Sequence, residues 1–218
     1  IQNAVNTAGT EPVVITVTAN TELRNTVIIK EGQNITLDLN GKTVSIKNES
    51  SIVTAIENSG TLVIKNSTNT DSKITAYSEE RSAYTIINNN TGRLTIENGK
   101  VEAVSNTKSI ALKSYGIYNK EAGVITLGKD DGTVLKEIPE IKAKAKNGIG
   151  IKLVDANGRL YYCDGTMKGT SDSLQLASGA AAYIIPTGYM EKVEKQVEEY
   201  GLYTVSYLSN ENTVELTV

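Results

Sequence analysis

Four segments of this chain begin at a glycine and then match one another position for position. They are "GTLVIKN" from Gly60, "GRLTIENGKV" from Gly92, "GVITLGKDDG" from Gly123 and "GRLYYCDGTM" from Gly158. The glycines step by 32, 31 and 35 residues, and "GQNITLDLNGKTV" from Gly32 is a looser fifth copy 28 residues before Gly60. A repeat of this size confines a chain to stacked architectures, because one unit is too small to bury its own apolar face. A further short element precedes several copies, as in "TAIEN", "TIINNN", "GIYNKE" and "GIGIKLVDAN", and another follows in "SKITAY" and "KVEAVS". Each unit therefore reads as strand, Asn-rich turn ending at Gly, strand, polar turn, strand.

The periodicity inside the unit separates the stacked folds. Helical solenoids also repeat near this length, but here the aliphatic residues recur every second position: Leu62/Ile64, Leu94/Ile96, Ile125/Leu127 and Leu160/Tyr162. That is strand spacing with one face buried. Propeller blades repeat at about 40 residues or more and carry aromatic signatures that this chain lacks. A β-sandwich would suit irregular strand spacing, yet it gives no reason for copies that match position for position. A parallel β-helix gives that reason, since equivalent positions stack about 4.8 Å apart and like must sit on like. The expected fold is all-β, a right-handed parallel β-helix, with the handedness taken from the chirality of parallel crossovers.

On this reading the turns stack too. Asn66, Asn98, Lys129 and Asp164 lie two residues after the second aliphatic column. Asn and Asp tolerate left-handed backbone, and stacked amides bond along the axis; Lys129 interrupts the series. "NITLDLNGKTVSIKN", Asn34 to Asn48, resembles a hairpin around Asn40-Gly41. It reads better as one coil turning a corner there, with Leu37 and Leu39 facing in and Asp38 capping the turn. Solenoid ends need covers. "IQNAVNTAG" puts Ile1, Val5 and Ala8 on one helical face ending at Gly9, a short N-terminal helical cap. In "MEKVEKQVEEYG", Met190, Val193, Val197 and Tyr200 suit a helix stopping at Gly201, while Val193 and Val197 equally suit one face of a strand. "LYTVSYLSNENTVELTV" reads as a hairpin turning at Ser209 to Asn212. The chain divides into a β-helix over 1–170 and a C-terminal capping segment or small subdomain over 171–218, with "TSDS" and "ASGAAA" at the seam.

"VTANTELRNTVIIKEGQNITLDLNGKTV", "GIYNKEAGVITLGKDDGTV" and "YYCDGTMKG" together resemble pectate-lyase-like right-handed β-helix regions in large surface proteins of gut Firmicutes and related bacteria. The likeness spans about Ile1 to Gly169. It implies an extracellular or cell-surface module, often repeated within a longer adhesin-like chain, and it carries over no catalytic motif. The C-terminal part fits that group less well.

Composition and chemistry narrow the function. With a formal charge of −3 and a pI near 5.2, no nucleic-acid partner is expected. No apolar run approaches the roughly 20 residues of a membrane span, so no membrane insertion is expected in this segment; its start lacks a charged stretch followed by an apolar one, so a signal peptide and an anchor are expected to lie outside this sequence. One cysteine, Cys163, excludes an internal disulfide, as suits a cytosolic protein or a Gram-positive secreted one. With His 0, nucleophile schemes that rely on histidine and His-ligated zinc are both excluded. Polysaccharide lyases of this fold gather carboxylates on one outer face to hold calcium, beside an Arg or Lys base. Here the outward positions, read as Asp38, Val63, Thr95, Thr126 and Tyr161, form no acidic column. The next positions, Lys65, Glu97, Gly128 and Cys163, contain one carboxylate. Hydrolases need a spaced carboxylate pair, and the only adjacent pair, Asp130-Asp131, reads as a polar turn. Cys163 reads as an incidental thiol, although Lys168 and Arg159 are near it in sequence. No metal and no cofactor is expected.

The tyrosines speak for binding. Tyr115, Tyr118, Tyr161 and Tyr162 fall in consecutive coils, and tyrosine suits sugar faces and protein partners. Tyr162 falls in the aliphatic column and is read as core. With Phe 0 and Trp 0, others of the set stand in for missing core aromatics on the alternative reading. The candidate binding residues are Tyr115, Tyr118, Tyr161 and Arg159, with Arg81 and Arg93 as further polar contacts. The expected function is a non-catalytic module presenting a flat outer sheet to glycans or to host or microbial surface proteins. Whether it is an enzyme stays open: a lyase or hydrolase of the β-helix class is the first alternative, and a rigid spacer is the second.

Overall fold

A computed structural model of the chain describes residues 1–68, 70–106, 111–129, 138–184 and 213–215. The chain winds as a right-handed parallel β-helix with three sheets. The first sheet stacks Val13–Thr16, Asn34–Asp38, Thr61–Lys65, Arg93–Ile96, Val124–Leu127, Arg159–Tyr162 and Ala181–Ile184. The second stacks Thr21–Glu22, Thr43–Asn48, Lys73–Ser78, Lys100–Ser105, Glu140–Lys144 and Thr166–Gly169, and Thr213–Glu215 adds antiparallel to the last of these. The third stacks Val27–Ile29, Val53–Asn58, Ala83–Asn88, Lys113–Asn119, Asn147–Leu153 and Asp172–Leu176. Parallel stacking thus runs past residue 170 to Ile184. The segment over 190–201 and the turn at Ser209 to Asn212 lie outside the described residues, as do Asp130 and Asp131.

The two strands flanking Asn40-Gly41 do not pair with each other. Asn34–Asp38 lies between Val13–Thr16 and Thr61–Lys65, whereas Thr43–Asn48 joins the second sheet. Asn40 and Gly41 turn the corner with φ of 48° and 70°, the left-handed region that Asn and Gly enter at least cost. Asp38, buried, accepts the N–H groups of Asn40 and Ser67 on Oδ1, each at 3.0 Å. It fixes the turn as expected, but its column differs from the one inferred above: Asp38 stands over Lys65, and Thr36 stands over Val63.

Stacked columns fill the interior. Leu62 pairs with Leu94, Leu94 with Ile125 and Ile125 with Leu160, and all four are buried. The column Ile64, Ile96, Leu127, Tyr162 runs beside it, with the Tyr162 hydroxyl donating to the Gly165 carbonyl. The third sheet contributes Ile56, Ile86, Ile117 and Ile151 in register, and the second contributes Val44, Ile74, Val101, Ile141 and Met167. Burying each large aliphatic contributes roughly 1.5–3 kcal/mol before chain entropy is counted.

Where the third sheet hands over to the first, the corner is polar and closed. Asn58, Asn88 and Asn119 stack in register and are fully buried. Asn58 Nδ2 donates to Asn88 Oδ1 at 2.8 Å, and Asn88 Nδ2 donates to Asn119 Oδ1 at 2.7 Å. Asn88 and Asn119 also donate to the carbonyls of Gly92 and Gly123, at 2.9 and 2.6 Å. The repeated glycine follows from this. A Cβ on Gly92 would sit 2.3 Å from Asn88 Oδ1, and one on Gly123 would sit 2.5 Å from Asn119 Oδ1. The recurring glycine therefore leaves room for the amide ladder.

At the N-terminal end, the helix Gln2–Thr7 buries Val5, with Ile1 and Ala8 packed on the core. Gln2 lies along the edge strand Val27–Ile29. Its Oε1 accepts the Ile28 N–H at 2.7 Å and its Nε2 donates to the Ile28 carbonyl at 3.3 Å. Gln33 ties the helix end down by donating to the Val5 and Ala8 carbonyls at 2.8 and 2.9 Å.

Candidate functional site

The solenoid separates the tyrosines by sheet. Tyr115 and Tyr118 lie on Lys113–Asn119 in the third sheet, whereas Tyr161 and Arg159 lie on Arg159–Tyr162 in the first. The four residues do not form one site.

Alternation sends Tyr118 outward, because its neighbour Ile117 points into the core; Tyr115 reaches the same face although it lies two residues before Ile117, because the strand pairing is interrupted at Gly116 between them. A third ring joins them. Tyr84, in register with Tyr115 one coil earlier, stacks on it with centroids 4.9 Å apart and planes at 18°. Tyr118 meets both rings edge-on, at 5.4 Å from Tyr84 and 5.0 Å from Tyr115. Such contacts add about 0.5–1.5 kcal/mol each beyond burial. Tyr115 is only 4% exposed and acts as the keystone, while Tyr84 and Tyr118 are half-buried. Burial, then the neighbouring phenols of Tyr84 and Tyr118, push the Tyr115 hydroxyl up to about 12. Burial, then Tyr118, also raises Tyr84.

One coil on, Lys152 reaches back over the cluster, with Nζ 5.9 Å from the Tyr115 ring centre. An ammonium at this distance is attracted by the ring face. Burial, and after it the charge of Lys113, lowers the Lys152 pKa against the opposing pull of Asp172. Ile28, 47% exposed, lies on the same face further along the axis in the Glu57–Ile87–Tyr118 row. The result is a rigid ledge: neutral aromatic surface with one partly desolvated cation beside it.

The first-sheet pair differs. Tyr161 is 8% exposed and stacks on Tyr183 at 5.5 Å with Cys163, Val124 and Ala181 packed around. Arg159 spends Nη1 on its own turn, donating to the Ala156 and Gly158 carbonyls, both at 2.9 Å. Here the sequence points to residues that brace a turn and a patch. Arg81 lies in the turn before Ala83–Asn88, and Arg93 opens Arg93–Ile96 on the first sheet. Sequence reasoning missed Tyr84 and Lys152. Aligning "AYTIINNN" with "SYGIYNKE" from their first residues, two positions earlier than the units read above, would have set Tyr84 over Tyr115.

The second sheet carries a charged face. Glu102 binds Lys144 at 2.6 Å and Lys73 at 3.7 Å, Glu140 binds Lys142 at 2.5 Å, and Asp71 binds Lys100 at 2.9 Å. Burial alone would raise the Glu102 carboxyl, but the Lys144 hydrogen bond and the charges of Lys144, Lys73 and Lys142 outweigh it and hold the pKa below its ordinary value. Of these side chains, all but Lys144 border a cavity of about 270 Å3. Among the described residues, no three His, Cys, Asp or Glu side chains come together to hold a metal ion, and no helix is long and apolar enough to cross a membrane.

Set against known proteins, the chain matches no family model, no curated protein and no solved structure.

Proposed function

We infer that this chain is a non-catalytic extracellular β-helix module, an adhesive or ligand-presenting segment of a bacterial surface protein of the pectate-lyase-like kind. One observation carries the reading: three tyrosine rings in mutual contact on an outer sheet face, with the half-exposed Tyr84 and Tyr118 flanking a buried Tyr115 and Lys152. Fixed aromatic edges lose little side-chain entropy on binding, and their polar tips serve a sugar or a protein equally well. Resemblance to β-helix regions of surface proteins supports the extracellular setting. The outer faces offer a rod-like display surface, and the ledge supplies its adhesive point.

Glycan-array and mucin binding test the reading on the intact chain. Tyr84→Ala and Tyr118→Ala are expected to weaken capture, while Tyr161→Ala on the first sheet leaves it unchanged. Capture that ignores both third-sheet variants removes the ledge from the claim. Release of unsaturated or reducing sugars from a pectin-like polymer with calcium present would replace the reading with a lyase or hydrolase.

A further inference from the structure

The cavity on the second sheet has a chemistry of its own. Along the axis, Lys73, Lys100 and Glu140 occupy one register row, and Glu102 and Lys142 occupy the next outward row. Three lysines and three carboxylates border the cavity, so its ionic lining is charge-balanced. Glu102 is held by two lysines and its side chain is 16% exposed. Its two oxygens retain acceptor capacity beyond those bonds, because a carboxylate offers about four lone-pair sites. Ser72, which also borders the cavity, is 1% exposed and has a buried Oγ without a hydrogen-bond partner. A buried hydroxyl in that state is an unmet polar demand.

We propose that this cavity is a binding subsite for a neutral polyhydroxylated chain, an uncharged extended oligosaccharide lying along the solenoid axis. Donors and acceptors recur from coil to coil, as Lys73, Lys100 and Glu140 in one row and Glu102 and Lys142 in the next, at a spacing of about 4.8 Å, close to the rise of one hexose in an extended β-linked chain. Hydroxyl groups match such a lining because each both donates and accepts. A polyanion would face Asp71, Glu102 and Glu140 as well as the lysines, and like charges at close range are costly. The ion pairs already hold the side chains in place, so little ordering remains to be done on binding. The proposal rests on the glycan-binding form of the function above but places this ligand on a different sheet.

Titration calorimetry of the intact chain with cellohexaose tests it, at low salt and at tenfold higher salt. Affinity should change less than about twofold with salt, as expected for an uncharged ligand. Glu102→Gln should weaken it at least about tenfold. Thr43→Trp, which builds bulk into the cavity from the neighbouring coil beside Lys73 and leaves Glu102 itself in place, should do the same. Tyr118→Ala should leave it unchanged. Thermal melts of both groove variants separate lost binding from lost folding. No binding of cellohexaose, or binding that survives both groove variants, overturns the proposal. Preference for oligogalacturonate with affinity falling as salt rises overturns it in favour of a polyanion site. If Tyr118→Ala alone abolishes binding, the groove falls and the tyrosine ledge stands; loss confined to the groove variants has the opposite meaning.

Discussion

Each coil turns one corner from the third sheet to the first and another from the first to the second, and asparagine occupies both. The outcomes differ. At the first corner, Asn58, Asn88 and Asn119 bond amide to amide, fully buried. At the second, Asn66 and Asn98 bond through the backbone: the Asn66 N–H donates to Asn98 Oδ1 at 2.6 Å, and Asn98 Nδ2 donates to the Asn66 carbonyl at 3.0 Å. The next positions are Lys129, paired with Glu97 at 3.2 Å, and Asp164. The loops differ in parallel: between two and five residues separate the strands at the first corner, and between three and twelve at the second. A corner whose side chains bond directly to one another ties the glycine beside them and keeps its loop short. A corner held through backbone atoms tolerates insertions.

Urea unfolding of point variants measures that contrast, with stability read from the midpoint at constant slope. Asn88→Ala removes the middle rung and strands the amides of Asn58 and Asn119; the expected loss is roughly 2–4 kcal/mol. Gly92→Ala, which drives a methyl against Asn88 Oδ1, should lose roughly 1–3 kcal/mol. Asn98→Ala at the open corner should lose about 1–2 kcal/mol, because it breaks two bonds to backbone that lies nearer solvent. Lys129→Ala should change stability by less than about 0.5 kcal/mol, the worth of a surface ion pair. Equal losses for Asn88→Ala and Asn98→Ala would erase the distinction between the corners. A larger effect for Lys129→Ala than for Asn98→Ala would reverse it.

The aliphatic columns were legible in the sequence because alternation and a glycine-anchored repeat are both one-dimensional signals. Leu62, Leu94, Ile125 and Leu160 stack as the repeat implies, and Val5 seals the first coil as the helical face implies. The closed ladder was not legible. Asn is frequent at both corners, and only depth within the fold distinguishes Asn88 from Asn98. Tyr84 escaped because the units "TIINNN" and "GIYNKE" begin one residue after Tyr84 and Tyr115 and so leave both out. The lattice of Lys73, Glu102, Glu140 and Lys142 escaped because loops of unequal length precede the second-sheet strands and hide their common register. Tyr115 and Tyr161 were legible as tyrosines but not as buried keystone and buried patch, since outward-pointing residues are covered when large neighbours lie over them.

The amide of Gln2 has a consequence for how copies of this protein meet. An edge strand such as Val27–Ile29 is a template onto which a neighbouring molecule adds its own strand, and repetition of that event grows a fibril. Gln2 fills both the donor and the acceptor of Ile28 with a side chain that offers no further strand. On the third sheet, at this end, polymerisation is blocked at Ile28 by a single residue of the helix.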